Sequence, residues 1–181
     1  MKLIEYALDG KVYHLLLNGT ALFNCYDRFG RDKSLLDLIT GDDRESHEAA
    51  VFMLAEFSLQ GELYRRFQGE DRGPVLQAAQ AACMLKPVDM PGLRIALAQT
   101  IRSAFQREHQ SVSFDPYLAE IDQKKNSGTT RPEYLRLLTK ILGLTVKEGM
   151  MLPPGVVLDL AQLEKNSHSM RKEETDGNED D

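Results

Sequence analysis

The chain has no tryptophan, only two cysteines, and no apolar run that approaches the ~20 residues a bilayer crossing needs. The last absence excludes a helical membrane span and predicts a protein with no membrane partner. Cys25 and Cys83 are far apart, with no CxxC spacing and no neighbouring histidine. That arrangement excludes a zinc ribbon or a disulfide framework and leaves buried, reduced thiols as the expectation. The opening residues, MKLIEYALDGK, lack the continuous apolar segment and small-residue cleavage site of a secretory signal, so an intracellular location is expected. Positive charge is also in short supply. The net charge is −6, of which residues 164–181 carry −4 and the body −2. Binding to a nucleic-acid backbone is driven by basic patches, so nucleic acid is not the expected partner. Four catalytic signatures are missing as well: GxxxxGK[ST], a GxGxxG after a strand, GxSxG and HExxH. No cofactor is implied, and a non-enzymatic role is expected.

The periodicity that is present is mostly helical. At 181 residues the chain has enough material for one substantial core with a small appended unit. The longest helical pattern is Arg44 to Phe67, in which Ala49, Phe52, Met53, Phe57, Leu63, Tyr64 and Phe67 are taken as one stripe and Glu62 and Arg65 fall outside it. Asp42 and Asp43 precede it as N-terminal acceptors, and Gly69 follows it. Upstream, Lys2–Leu8 and Lys11–Leu17 flank Asp9-Gly10, a pair that favours a type I′ turn and therefore a β-hairpin. Val12, His14 and Leu16 should face one side, and Tyr13, Leu15 and Leu17 the other. Asn18 caps a short helix with Ala21, Leu22, Cys25, Tyr26 and Phe29 inward, ended by Gly30, and Ser34 caps a brief turn over Leu35–Ile39.

Downstream of the long helix, Pro74 opens an alanine-rich helix reaching Leu85, and Pro91 opens another over residues 92–108 with Leu93, Leu97, Ile101, Ala104 and Phe105 buried. Asp115–Ile121 has room for one or two helical turns, and Lys124–Thr130 reads as a solvated linker with a boundary near Ser127. A helix then spans Arg131–Leu142 and ends at Gly143. Thr145 with Glu148 forms a capping box for residues 146–151, and Pro153-Pro154-Gly155 leads into a last helix ending near Lys165. From Asn166 the chain is polar enough to remain disordered. The expected fold is mainly α: a helical bundle with an N-terminal β-hairpin (1–126), a small C-terminal helical unit (127–165) and an acidic tail (166–181).

Candidate sites are sparse. Asp42–Glu48 gathers carboxylates around His47, which would suit a metal-dependent hydrolase, but the spacing matches no EF-hand and the cluster fits a capped helix start. His14 and His109 have no partner at catalytic spacing. The turn at residues 142–145, LGLT, has the look of a helix-turn-helix and keeps a small DNA-binding or antirepressor-type regulator as the first alternative. The sharper candidate is apolar. Met150, Met151 and Leu152, followed by Val156, Val157 and Leu160, make a methionine-containing surface suited to an adaptable protein partner.

Two stretches resemble a known family. Gly10-Lys11-Val12-Tyr13-His14-Leu15 with Asn18, Ala21, Gly30 and Leu35-Leu36-Asp37-Leu38 is similar to the start of tail assembly chaperones from long-tailed bacteriophages and prophages. Glu133–Leu163, with Gly143-Leu144-Thr145, Glu148, Leu152, Pro154-Gly155 and Leu158-Asp159-Leu160, resembles the helical segment at the end of their longer product. The resemblance implies a non-catalytic helper in the cytoplasm of a bacterial host. Such a helper binds the tape measure protein, recruits tail tube subunits, forms homo-oligomers or larger arrays, and is often made in short and long forms by frameshifting, here near Lys124-Lys125-Asn126.

Overall fold

In the computed structural model, which describes residues 3–107 and 130–176, the last ten as backbone alone, the chain reverses at Asp9 and Gly10 with φ of +50° and +70°. These paired positive angles are those of a type I′ turn, which asparagine, aspartate and glycine tolerate. Strands β1 (Ile4–Leu8) and β2 (Lys11–Leu15) are thereby joined antiparallel, with Ile4 opposite Leu15 and Leu8 opposite Lys11. Tyr6, Leu8, Tyr13 and Leu15 form the buried face. The alternation stops earlier than expected. Leu16 N–H donates to the Phe57 carbonyl at 3.0 Å, and Leu15, Leu16 and Leu17 are all buried.

The carbonyl and side-chain acceptors at Asn18 and Ser34 start the next two helices, α1 (Gly19–Phe29) and α2 (Leu35–Thr40), as expected. The long helix, α3 (Arg44–Phe67), begins at Asp43, whose carboxylate accepts from Ser46 N–H at 2.8 Å. The hairpin lies against it. At Gly61 there is no side chain, and an added Cβ would collide with the His14 carbonyl, so backbone meets backbone there.

Several expectations are corrected by what α3 touches. Leu63 and Phe67 are 40% and 59% exposed, while Glu62 is 2% exposed. From Phe57 to Leu63 is six residues, roughly 240° around a helix, so the two halves of the supposed stripe point apart. The Glu62 side faces the returning chain instead, where Gly73 N–H donates to its carboxylate at 2.7 Å. That return also explains why Pro74 starts no helix. Residues 70–77 stay outside regular structure, Leu76 is buried, and α4 is confined to Ala78–Met84 with Gln77 and Gln80 forming a capping box. Of its residues only Ala81 is buried, and Cys83 is exposed, contrary to the expectation for both thiols; Cys25 is buried.

After a 3-10 turn at Pro87–Asp89, α5 (Met90–Phe105) buries Leu93, Leu97, Ile101 and Ala104, as expected, while Phe105 lies exposed in the last turn. These side chains join Met53, Leu54, Phe57, Tyr13 and Leu15 in the main core. A second apolar cluster holds Phe23, Tyr134, Leu138 and Val157. Phe23 was not among the inward α1 residues expected from periodicity; α1 is covered on two sides, by α3 on one and by the C-terminal elements on the other.

The C-terminal elements begin with α6 (Arg131–Arg136), where Thr130 and Glu133 form a capping box. The expected single helix to Leu142 changes register, because residues Leu137–Ile141 form a π turn in which Leu142 N–H donates to the Leu137 carbonyl. This turn leaves Ile141 exposed. Gly143, at φ +63°, ends it. The Thr145–Glu148 box then starts α7 (Val146–Met151) as expected, and α8 runs Pro154–Asp176. Its backbone is helical well past Asn166, where the sequence leads one to expect disorder; Met170, Arg171, Lys172, Glu173 and Glu174 are all strong helix formers. The turns expected at Asp115–Ile121, the linker at 124–129, the boundary near Ser127 and the tail at 177–181 lie outside the described residues. Among those residues, no helix is long and apolar enough to cross a membrane.

Candidate partner-binding grooves

The methionine-rich stretch is held in place through backbone. Gly19 N–H donates to the Leu152 carbonyl at 3.2 Å, and an added Cβ at Gly19 would lie 3.2 Å from Met150 Sδ and 3.0 Å from the Tyr134 ring. Gly149 permits a similar approach, since a Cβ there would meet both Leu138 methyls at 2.7 Å. The end of α7 is thus wedged between the start of α1 and the π turn, and Met150 and Met151 are presented beside the second half of α3.

Between these elements runs a groove of about 720 Å³. Leu63 and Phe67 of α3 form one wall, and Val146, Met150 and Met151 of α7 the other. Its charged lining is cationic: Arg66, Arg131 and Lys147. Behind it, a chain of polar side chains fixes the walls. Asn18 donates to Gln60 at 3.1 Å, Gln60 and Asn24 both donate to Glu56, at 2.9 and 3.0 Å, and Arg131 reaches Asn24 and Asp27 at 3.4 and 3.3 Å. Arg131 also sits 5.4 Å above the Phe23 ring.

A second groove, of about 590 Å³, lies between the end of β2, α5 and α8. Leu152, Val156 and Leu160 line it together with Thr100, Ser103 and Asp159. Asp159 is buried and pairs with Arg107 at 2.8 Å, which ties α8 to the end of α5.

No family model, curated protein or solved structure matches the chain. Its function is therefore argued from these surfaces.

The six residues singled out from sequence do not form one surface. Met150 and Met151 line the first groove, and Leu152, Val156 and Leu160 line the second. Val157 belongs to neither: it is fully buried against Phe23, Tyr134 and Leu138. Leu63, Phe67 and Val146 are the lining residues that sequence reasoning missed or assigned to the core. The six-residue gap after Phe57 carried the signal.

The four carboxylates of the Asp42–Glu48 cluster are occupied by structural tasks. Asp42 pairs with Arg94, Glu45 with Lys33 and Glu48 with Arg44, while Asp43 caps α3 and the resulting hydrogen bonds hold its carboxyl below the usual range. Among the described residues no three His, Cys, Asp or Glu side chains converge as a metal site. Burial raises the Glu62 carboxyl, but the Gly73 N–H and the Arg66 and Arg65 guanidiniums outweigh it, and the net direction is down. Burial pushes the Cys25 thiol up to about 12, with Glu56 adding to the effect, so it is no nucleophile at neutral pH. His14 stands 3.6 Å from Glu5 and 3.5 Å from Arg65 on the outer side of the hairpin. His109 lies outside the described residues. The helix after LGLT, α7, carries one cation, Lys147, and one carboxylate, Glu148, already used in capping.

Proposed function

We propose that the chain is a non-catalytic assembly chaperone of the phage tail type, working in the cytoplasm of a bacterial host. It holds the tape measure protein through an apolar groove and recruits tail tube subunits to it. The observation that carries this reading is the first groove: exposed Leu63 and Phe67 face Met150 and Met151 across about 720 Å³. Contiguous exposed apolar surface of this kind marks sites of protein contact, and methionine walls repack around unlike partners. Two stretches of sequence similar to the tail chaperones give the reading its partner.

The test is co-expression with a tape measure protein, which this reading expects from a very long gene downstream of this one. Tagged wild-type chain should retain the partner, and a Phe67→Ser, Met151→Ser double variant with unchanged circular dichroism should lose most of it. Undiminished capture by the double variant overturns the assignment of the groove. A gene neighbourhood without a tail tube gene upstream and a very long tape measure gene downstream overturns the function.

A further inference from the structure

Leu59, Leu63 and Phe67 stand four residues apart on α3, each at least 36% exposed. This spacing presents a straight apolar ridge that one face of another helix can contact over two turns. Facing it are Met150 and Met151, whose unbranched side chains adjust to the knobs of an incoming helix. Among the described residues, the charged side chains that line this floor are all cations: Arg66, Arg131 and Lys147. Glu62 engages Arg66 from beneath at 2.9 Å, and Asp27 engages Arg131 from the side. Arg131 nevertheless keeps a buried Nε with no hydrogen-bond partner, and Lys147 has no ion pair among the described residues. A cationic rim within a chain of net charge −6 is a local feature that the overall composition opposes.

We infer that the first groove takes an acidic amphipathic helix from a partner protein, its apolar face on Leu63, Phe67, Met150 and Met151 and its carboxylates toward Lys147 and Arg131. The inference rests on the protein-binding reading above and adds the chemistry of the ligand. The apolar contacts supply the affinity, and the charges choose the partner and its orientation. The second groove is a poorer seat for such a helix, since among the described residues its charged lining is a carboxylate, Asp159, and Arg107 is already paired with it.

The probe is a surface-displayed library of helical peptides of roughly five turns, with a fixed leucine stripe and flanking positions free to be Asp, Glu, Lys, Arg or Ser, selected on the full-length protein. Enriched peptides should carry Asp or Glu on the flanks. In fluorescence anisotropy they should bind about tenfold or more weakly to Phe67→Ser and to Lys147→Glu, and lysine at the facing peptide position should restore binding to Lys147→Glu. Enrichment of basic or neutral flanks, or binding unaffected by both substitutions, overturns the inference. Two other occupants would also overturn it: a dimer in sedimentation that Phe67→Ser dissociates identifies a second copy, and tighter peptide binding when residues 112–121 are replaced by serine identifies the chain's own segment. If the acidic peptides fail while the tape measure protein is still captured, only this inference falls. If the peptides bind as expected and the tape measure protein is not captured, the chaperone reading falls and the groove's chemistry stands.

Discussion

Gly61 is the position where a single hydrogen atom in place of a methyl decides how the hairpin sits. Because the clash would be with the His14 carbonyl rather than with a pliable side chain, Gly61→Ala must separate β2 from α3. A loss of about 1–3 kcal/mol in urea unfolding is expected. Gly92 provides the contrast: it lies in α5 with nothing within 4 Å of an added Cβ, so Gly92→Ala should stabilise by about 0.5–1 kcal/mol. Equal effects of the two substitutions would show that the close approach at Gly61 is unimportant. Glu62 is the other informative residue. Its folded carboxyl titrates below its ordinary value of 4.5, so its contribution is complete above that pH and is lost as pH falls through the depressed folded value. Glu62→Gln should therefore destabilise the protein at pH 7 and flatten the acid limb of its stability curve below about pH 4.5. An acid limb identical to wild type would show that another group causes it.

Among the elements, α8 carries core and groove residues close together, for Val157 and Leu160, three residues apart, are separated by roughly 60° around the helix. Val157 is completely buried, whereas Leu160 is 36% exposed on the second groove. Val157→Asp leaves an uncompensated charge in the small core and should cost about 3 kcal/mol or more; Leu160→Asp should change stability by no more than about 0.5 kcal/mol. Thermal melts of the two variants check this directly, and comparable losses would mean that Leu160 is packed as Val157 is. Alternation and helical period located most elements here, and the local cues at Asn18, Ser34, Asp43 and Thr145 each acted as read, because a cap depends on neighbours a few residues away. Pro74 misled for the complementary reason. Its suitability as a first helical residue is local, but the chain around it is held by Glu62 and by burial of Leu76, both effects of the fold.

On the scale of the whole molecule, Phe23 joins two apolar clusters through one helix. Its ring lies 5.3 Å from Tyr134, and the helix that carries it also contributes Ala21, Leu22 and Cys25 to the main core. Phe23→Ala should cost about 3–5 kcal/mol and should loosen the C-terminal helices first. Hydrogen exchange would then show faster exchange over α6 and α7 than over α3 and α5. A uniform rise across all helices would show that the clusters act as one core. The grooves also belong to this scale. Each is walled by elements remote in sequence, α3 with α7 in one case and β2 with α5 and α8 in the other. By itself the sequence determined the hairpin turn, the caps and the predominance of helix, since these follow from backbone preferences and periodicity over short spans. Only the tertiary structure decided that Leu63 and Phe67 remain uncovered, that Glu62 is buried, that Val157 is core, and that Arg66, Arg131 and Lys147 surround the methionine-lined groove. Those outcomes depend on which surfaces meet, and contacts between distant parts of a chain leave little trace in the local pattern of any one segment.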